Sequence, residues 1–112
     1  YLSYFHEKLQ EVTLYQLFDF FEKYTAYVEM LPSQNWEEAV LVLSNMALDS
    51  GEDPYKKFFC VNALLKLKDS AKAKEGQSYM ILAEDIKNKL KDIKNSETDP
   101  LLKMRYSEMD IE

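Results

Sequence analysis

The side chains that most often carry catalysis or metal binding are scarce in this sequence. His6 is the only histidine and Cys60 the only cysteine, so no pair of either type exists to ligate zinc, and Cys60 lacks a histidine partner to activate it. His6 lies near the first residue, where a lone histidine is usually a surface or boundary residue. Cys60, between Phe59 and Val61, is expected to be a buried thiol. The sequence contains no glycine-rich loop that could bind a phosphate. Its carboxylates alternate with lysines, as they do on solvated helix faces. We therefore expect no enzymatic activity, no metal and no cofactor.

Asn62 is the polar side chain with the clearest potential to bind a partner. It lies in the most apolar part of its segment, and its carboxamide offers donors and an acceptor that suit the backbone of an extended peptide. On a helical wheel one side of this segment is mixed aromatic and polar, and the other is apolar. We predict that this mixed side lines a peptide or partner groove, formed by Tyr55, Phe59, Asn62 and Lys66. Lys66 is available there to pair with a carboxylate. The alternative is an interhelical hydrogen bond from Asn62 inside the bundle.

A second aromatic stripe, "LYQLFDFFEKYTAY", covers residues 14–27. Aromatic residues at helical spacing can line a groove, but they also fill the cores of helical proteins. For Phe18 and Phe21 we favour the core. For Tyr15, Tyr24 and Tyr27 both interpretations stay open, because a tyrosine hydroxyl needs water or a partner.

Breaker residues and apolar periodicity predict long helices with short turns. Only two glycines and three prolines occur, and apolar residues recur at three- and four-residue steps. We predict helices over 1–11, 13 to about 30, 35 to about 48, 54 to about 74, 78 to about 94 and 101 to about 109. Turns are expected near 32–35, 50–53, 75–77 and 95–99.

Local signals predict where these helices begin and end. Asp53-Pro54 and Asp99-Pro100 each place a capping carboxylate before a proline at the first helical position. Three further signals are expected: a capping box of Thr13 with Gln16, an N-cap at Asn35, and Gly76 as the residue that closes the fourth helix.

The helices form a weak repeat of about 40 residues, because two long helices are each followed by a break and a second helix. The expected fold is all-α, with antiparallel helix pairs stacked as a tetratricopeptide-like repeat. The alternative is a plain small up-and-down bundle. In either fold the apolar helix after Trp36 is expected in the middle of the bundle. Six side chains are predicted to be largely buried: Trp36, Leu43, Phe58, Leu64, Leu82 and Ile86.

Composition limits the classes of partner. The formal net charge of the 112 residues is −6, which disfavours direct contact with nucleic acid. No apolar run approaches the length of a membrane span, and one cysteine suits a cytoplasmic location. We expect one helical domain over 1–112. The chain begins with tyrosine, and its first residues already have a helical pattern, so we expect a C-terminal fragment of a longer protein.

Three segments resemble a known family: "YQLFDFFEKYTAYVEML", "NWEEAVLVLSNMAL" and "DPYKKFFCVNALLKLKDSAKAKEGQSYMILAEDIKNKL". Their order is similar to the C-terminal region of Rgg/MutR-type transcriptional regulators, over residues 14–90. The resemblance implies a helical-repeat domain that binds a short signalling peptide and forms homodimers. In that family a separate N-terminal helix-turn-helix domain binds DNA. The alternative is a free-standing acidic interaction protein, similar to an immunity protein or antitoxin, that blocks a basic partner.

Overall fold

The computed structural model describes residues 2–109, except for the side chains of Leu2, His6, Gln10 and Leu14. The expectation for the His6 side chain therefore lies outside the described residues. No strand occurs in residues 2–109. A single 3₁₀ turn, Leu14–Gln16, precedes α2. The helices are α1 (Leu2–Glu11), α2 (Leu17–Glu29), α3 (Ser33–Leu48), α4 (Pro54–Ala73), α5 (Gln77–Ser96) and α6 (Pro100–Glu108).

Two of the predicted helix starts are confirmed in detail. Asp53 precedes α4, and its Oδ1 accepts a hydrogen bond from the Tyr55 amide at 2.8 Å. Asp99 precedes α6, and its Oδ1 accepts from the amides of Leu101 and Leu102 at 2.9 and 3.2 Å. In both helices proline takes the first position, where no intrahelical partner for its missing N–H is needed.

Three other cap predictions are wrong. Pro32, with ψ of 154°, is the N-cap of α3, so Asn35 lies in the first turn and its amide donates to the Pro32 carbonyl at 2.9 Å. Gly76 does not close α4, because the C-cap of that helix is Lys74, which has an extended backbone. Gly76 instead precedes α5 and has a φ of +121°, which glycine adopts without a Cβ penalty. The Thr13 hydroxyl donates to the side chain of Gln16 at 3.4 Å, so no capping box forms.

The helices pack against one another as a small all-α bundle in which successive long helices run antiparallel. α4 packs against α2, α3 and α5, and α3 packs against α2, α4 and α5, which confirms the central position predicted for α3. Trp36 at the start of α3 contacts Tyr79 at the start of α5, with ring centroids 5.6 Å apart. Lys57 at the start of α4 contacts Glu97 after the end of α5. α3 and α5 therefore run in the same direction, and α4 runs opposite to α5.

The core between these helices contains most of the side chains predicted to be buried. Trp36, Leu43, Leu64, Leu82 and Ile86 are buried, and so is Cys60. The Trp36 Nε1–H donates to the Leu31 carbonyl at 3.0 Å, which fixes the start of α3 against the end of α2. Phe58 is less buried than these residues and packs against the core from the edge of α4 that faces α2.

The aromatic residues of α2 divide between core and surface. Phe21 is buried, as predicted, and Tyr24 is fully buried as well. Phe18 is 66% exposed, contrary to the prediction, because it lies on the margin of the apolar stripe. Tyr15 is almost completely exposed and Tyr27 is half-buried.

A buried ion pair joins α4 to the residues that precede α6. The Lys57 Nζ lies 2.9 Å from Oε1 of Glu97 and donates to Oε2 at 3.2 Å. The same Oε2 accepts from the amides of Thr98 and Asp99, each at 3.1 Å. One carboxylate therefore holds α4, the end of α5 and the start of α6 together.

Candidate functional site

A concave groove runs between α2 and α4. It encloses about 540 Å³, which is within the range of small-ligand and peptide-anchor pockets. α2 contributes Phe18, Phe21, Glu22 and Thr25 to its walls, and α4 contributes Phe58, Phe59, Asn62, Ala63 and Lys66. We call this surface the α2–α4 groove.

Phe59 is at the centre of the aromatic part of the groove. Its ring stacks on Phe21 with centroids 5.8 Å apart and planes 18° apart. Phe18 and Phe58 approach it edge-on, at 6.4 and 6.0 Å. Such aromatic pairs contribute about 0.5–1.5 kcal/mol beyond burial, so these rings form a preorganised apolar wall.

Asn62 lies one turn beyond this aromatic cluster. Its Nδ2 donates to the Phe58 carbonyl of the same helix at 3.1 Å. Within residues 2–109 the side chain makes no other hydrogen bond, so the interhelical bond considered as the alternative does not form. The Oδ1 atom and the second amide hydrogen remain available on a half-buried side chain.

The charged groups of the groove are Glu22 on α2 and Lys66 on α4, and both are exposed. Neither side chain has an ion-pair partner among the described residues. Thr25, between them on α2, is buried and donates its hydroxyl hydrogen to the Phe21 and Glu22 carbonyls at 3.0 Å. Glu22 follows Phe21 at the aromatic end of the groove, and Lys66 lies at the other, polar end.

The structure brings together three of the four predicted site residues. Phe59, Asn62 and Lys66 line the α2–α4 groove. Tyr55 lies one turn earlier on α4, is 62% exposed and does not line it. The opposite wall of the groove, from α2, was not predicted, because nothing in the local sequence pattern specifies which helix packs beside α4.

No catalytic constellation accompanies the groove in the described residues. Burial raises the pKa of the Cys60 thiol and of the Tyr24 hydroxyl, so both groups are held in their neutral, unreactive forms. Residues 2–109 contain no group of three or more histidine, cysteine or acidic side chains placed to hold a metal ion. In the same range, no helix has the length and apolarity to cross a bilayer.

Comparison with known proteins adds no relative to this description. No protein-family model, curated protein or solved structure matches the chain. The likeness to Rgg/MutR-type regulators therefore stays a prediction from the sequence.

Proposed function

We propose that this chain is a non-catalytic domain whose α2–α4 groove binds a short peptide. In the setting that its sequence resembles, it serves as the peptide-sensing and dimerisation domain of a cytoplasmic bacterial transcriptional regulator. The observation that supports the proposal is the exposure of Phe18. This residue is 66% exposed at the mouth of a groove whose walls include Phe21 and Phe59.

Phe18 is the exposed member of the aromatic cluster in the α2–α4 groove. Exposed apolar surface that is contiguous and rimmed by polar groups marks interaction sites. Two neighbouring helices of a bundle present such surface as a groove along their length. Asn62 beside the aromatic wall supplies the polar contacts that fix the register of a peptide backbone.

Selection from a phage-displayed library of random octapeptides, with the immobilised chain as target, tests the proposal. Enriched peptides are then measured against Phe18→Glu and against Met80→Glu. Met80 is the matched control, because it is 69% exposed on α5 and outside the groove. We expect Phe18→Glu to weaken binding by about tenfold or more, because a buried contact becomes an unpaired charge. Equal affinity for Phe18→Glu and the unchanged chain, or the absence of enrichment, would refute the proposal.

Asn62 allows a second measurement on the same peptides. Asn62→Ala is expected to weaken binding by about 1–3 kcal/mol if its free amide atoms contact the peptide. Its effect on the free energy of unfolding should be smaller, because the one hydrogen bond that the Asn62 side chain makes within residues 2–109 is to a carbonyl of its own helix. Intact binding with a large loss of stability would show that Asn62 is a structural residue.

A further inference from the structure

The α2–α4 groove is chemically polarised along its length. The antiparallel pairing places α2 and α4 in the same direction, with the Phe21–Phe59 stack near the beginning of both helices. Lys66 lies about two turns beyond Phe59 on α4, which is about 10 Å along the helix axis. Asn62 and Thr25 lie between these points.

Lys66 is the positive charge of the α2–α4 groove. Its side chain is exposed, lines the groove, and has no anionic partner in the part of the chain that the structure describes. Some other exposed lysines are paired within their own helix, such as Lys23 with Asp19 at 3.1 Å. Lys66 is thus a positive group beside an apolar groove and available to a ligand.

Glu22 places a negative charge nearer the aromatic end. It follows Phe21 directly on α2, and Phe21 is the residue that stacks on Phe59. A ligand carboxylate next to an apolar group bound at Phe59 is therefore repelled, whereas a carboxylate farther along the groove is attracted by Lys66. The two charges select where along a peptide an acidic group is accepted.

We propose that the groove binds an extended peptide with a bulky apolar side chain at Phe59 and a carboxylate about three residues further along, at Lys66. An extended chain covers roughly 3.3 Å per residue, so three residues span the distance between the two groups. The inference rests on the proposed function, because it specifies which peptide the same groove accepts. The carboxylate belongs to an acidic side chain or to the peptide's free C-terminus.

Titration of the ¹⁵N-labelled chain, followed by ¹H–¹⁵N correlation spectra, tests this inference with defined peptides. The probes are acetylated and amidated peptides with one phenylalanine and one glutamate, separated by zero, two or four serines. Each probe has a glutamine analogue without the charge. A final probe ends in a free carboxylate at the preferred spacing and distinguishes a C-terminus from an acidic side chain.

The peptide with two intervening serines is expected to bind about two- to fivefold more tightly than its glutamine analogue, the effect of one solvent-exposed ion pair. This preference should disappear in Lys66→Met and at high ionic strength. It should persist in Lys72→Met, an exposed lysine of the same helix outside the groove. With no intervening serine, the glutamate peptide should bind no better than its analogue, and Glu22→Gln should improve its affinity.

The outcomes separate the two proposals. Equal affinity of the charged and neutral peptides, a preference for another spacing, or a preference that survives in Lys66→Met overturns the inference about the ligand. If these peptides still shift the amide signals of Phe59 and Asn62, and Phe18→Glu abolishes the shifts, peptide binding itself stands. If no peptide perturbs the groove, both proposals fail.

Discussion

Glu97→Gln tests the buried ion pair between Lys57 and Glu97. Only 7% of the Lys57 side chain and 2% of the Glu97 side chain are exposed, so the substitution leaves an ammonium group buried opposite a neutral amide. Loss of one partner from a buried pair typically costs 3–5 kcal/mol. The glutamine oxygen can still accept one hydrogen bond, and we therefore expect a loss of about 3 kcal/mol.

The reciprocal change, Lys57→Met, should cost less. The Glu97 carboxylate keeps two backbone donors, the amides of Thr98 and Asp99, and hydrogen bonds to a carboxylate stabilise its charge. The double variant removes both charges together. Its cost should fall below the sum of the single costs by about 2 kcal/mol, the coupling expected of contacting residues.

Urea unfolding is the appropriate assay, because urea is uncharged and does not screen the pair as guanidinium does. The fluorescence of Trp36, the only tryptophan and a fully buried one, reports the transition. A loss of about 3 kcal/mol lowers the urea midpoint by about 1–3 M. A loss below about 1 kcal/mol for Glu97→Gln, or strictly additive effects in the cycle, would refute the reasoning.

Three further predictions concern the core and its titratable groups. Leu64→Ala should destabilise the chain by about 2–5 kcal/mol in urea titration, against less than about 0.5 kcal/mol for Ile81→Ala, because Leu64 is fully buried and Ile81 is 63% exposed; similar losses would contradict the packing. The Tyr106 hydroxyl is buried without a hydrogen-bond partner among the described residues, so Tyr106→Phe should raise stability by about 1 kcal/mol. Burial and the nearby Glu97 also raise the pKa of the Tyr106 hydroxyl in the folded state, so the free energy of unfolding does not depend on this group below about pH 10 and falls as pH rises further. Tyr106→Phe should flatten that alkaline decline, and an unchanged decline would argue against the buried hydroxyl as its cause. Cys60 should react with a thiol reagent only through opening of the fold, because its thiol is buried and its pKa is raised; labelling at the rate of a free thiol would contradict its burial.

Local sequence signals predicted the helices well where one residue determines the geometry. Asp53 and Asp99 are followed by proline, and both cap as predicted. Asn35 failed as a cap because Pro32 already has the extended backbone that an N-cap requires. Gly76 was predicted at the end of one helix and instead precedes the next, since a glycine in so short a turn can serve either helix.

The groove was only half predictable, because one wall depends on which helices become neighbours. The periodicity of α4 separated Phe59, Asn62 and Lys66 from its apolar side, and all three line the groove. The same kind of periodicity in α2 could not separate Phe18 from Phe21. Both belong to one apolar stripe, and only the approach of α4 buries one ring and leaves the other at the mouth.

The ion pair of Lys57 and Glu97 also fixes the position of α4 along its own axis relative to the neighbouring helices. Apolar helix faces can shift past one another by a turn and still bury similar area, but one ammonium can meet one buried carboxylate at a single position only. Phe59 is on the same helix, less than one turn from Lys57. The Lys57–Glu97 contact on one side of α4 therefore determines which ring of α2 Phe59 meets on the other side. A shift of α4 by one turn would move Phe59 away from Phe21 and disrupt the aromatic wall.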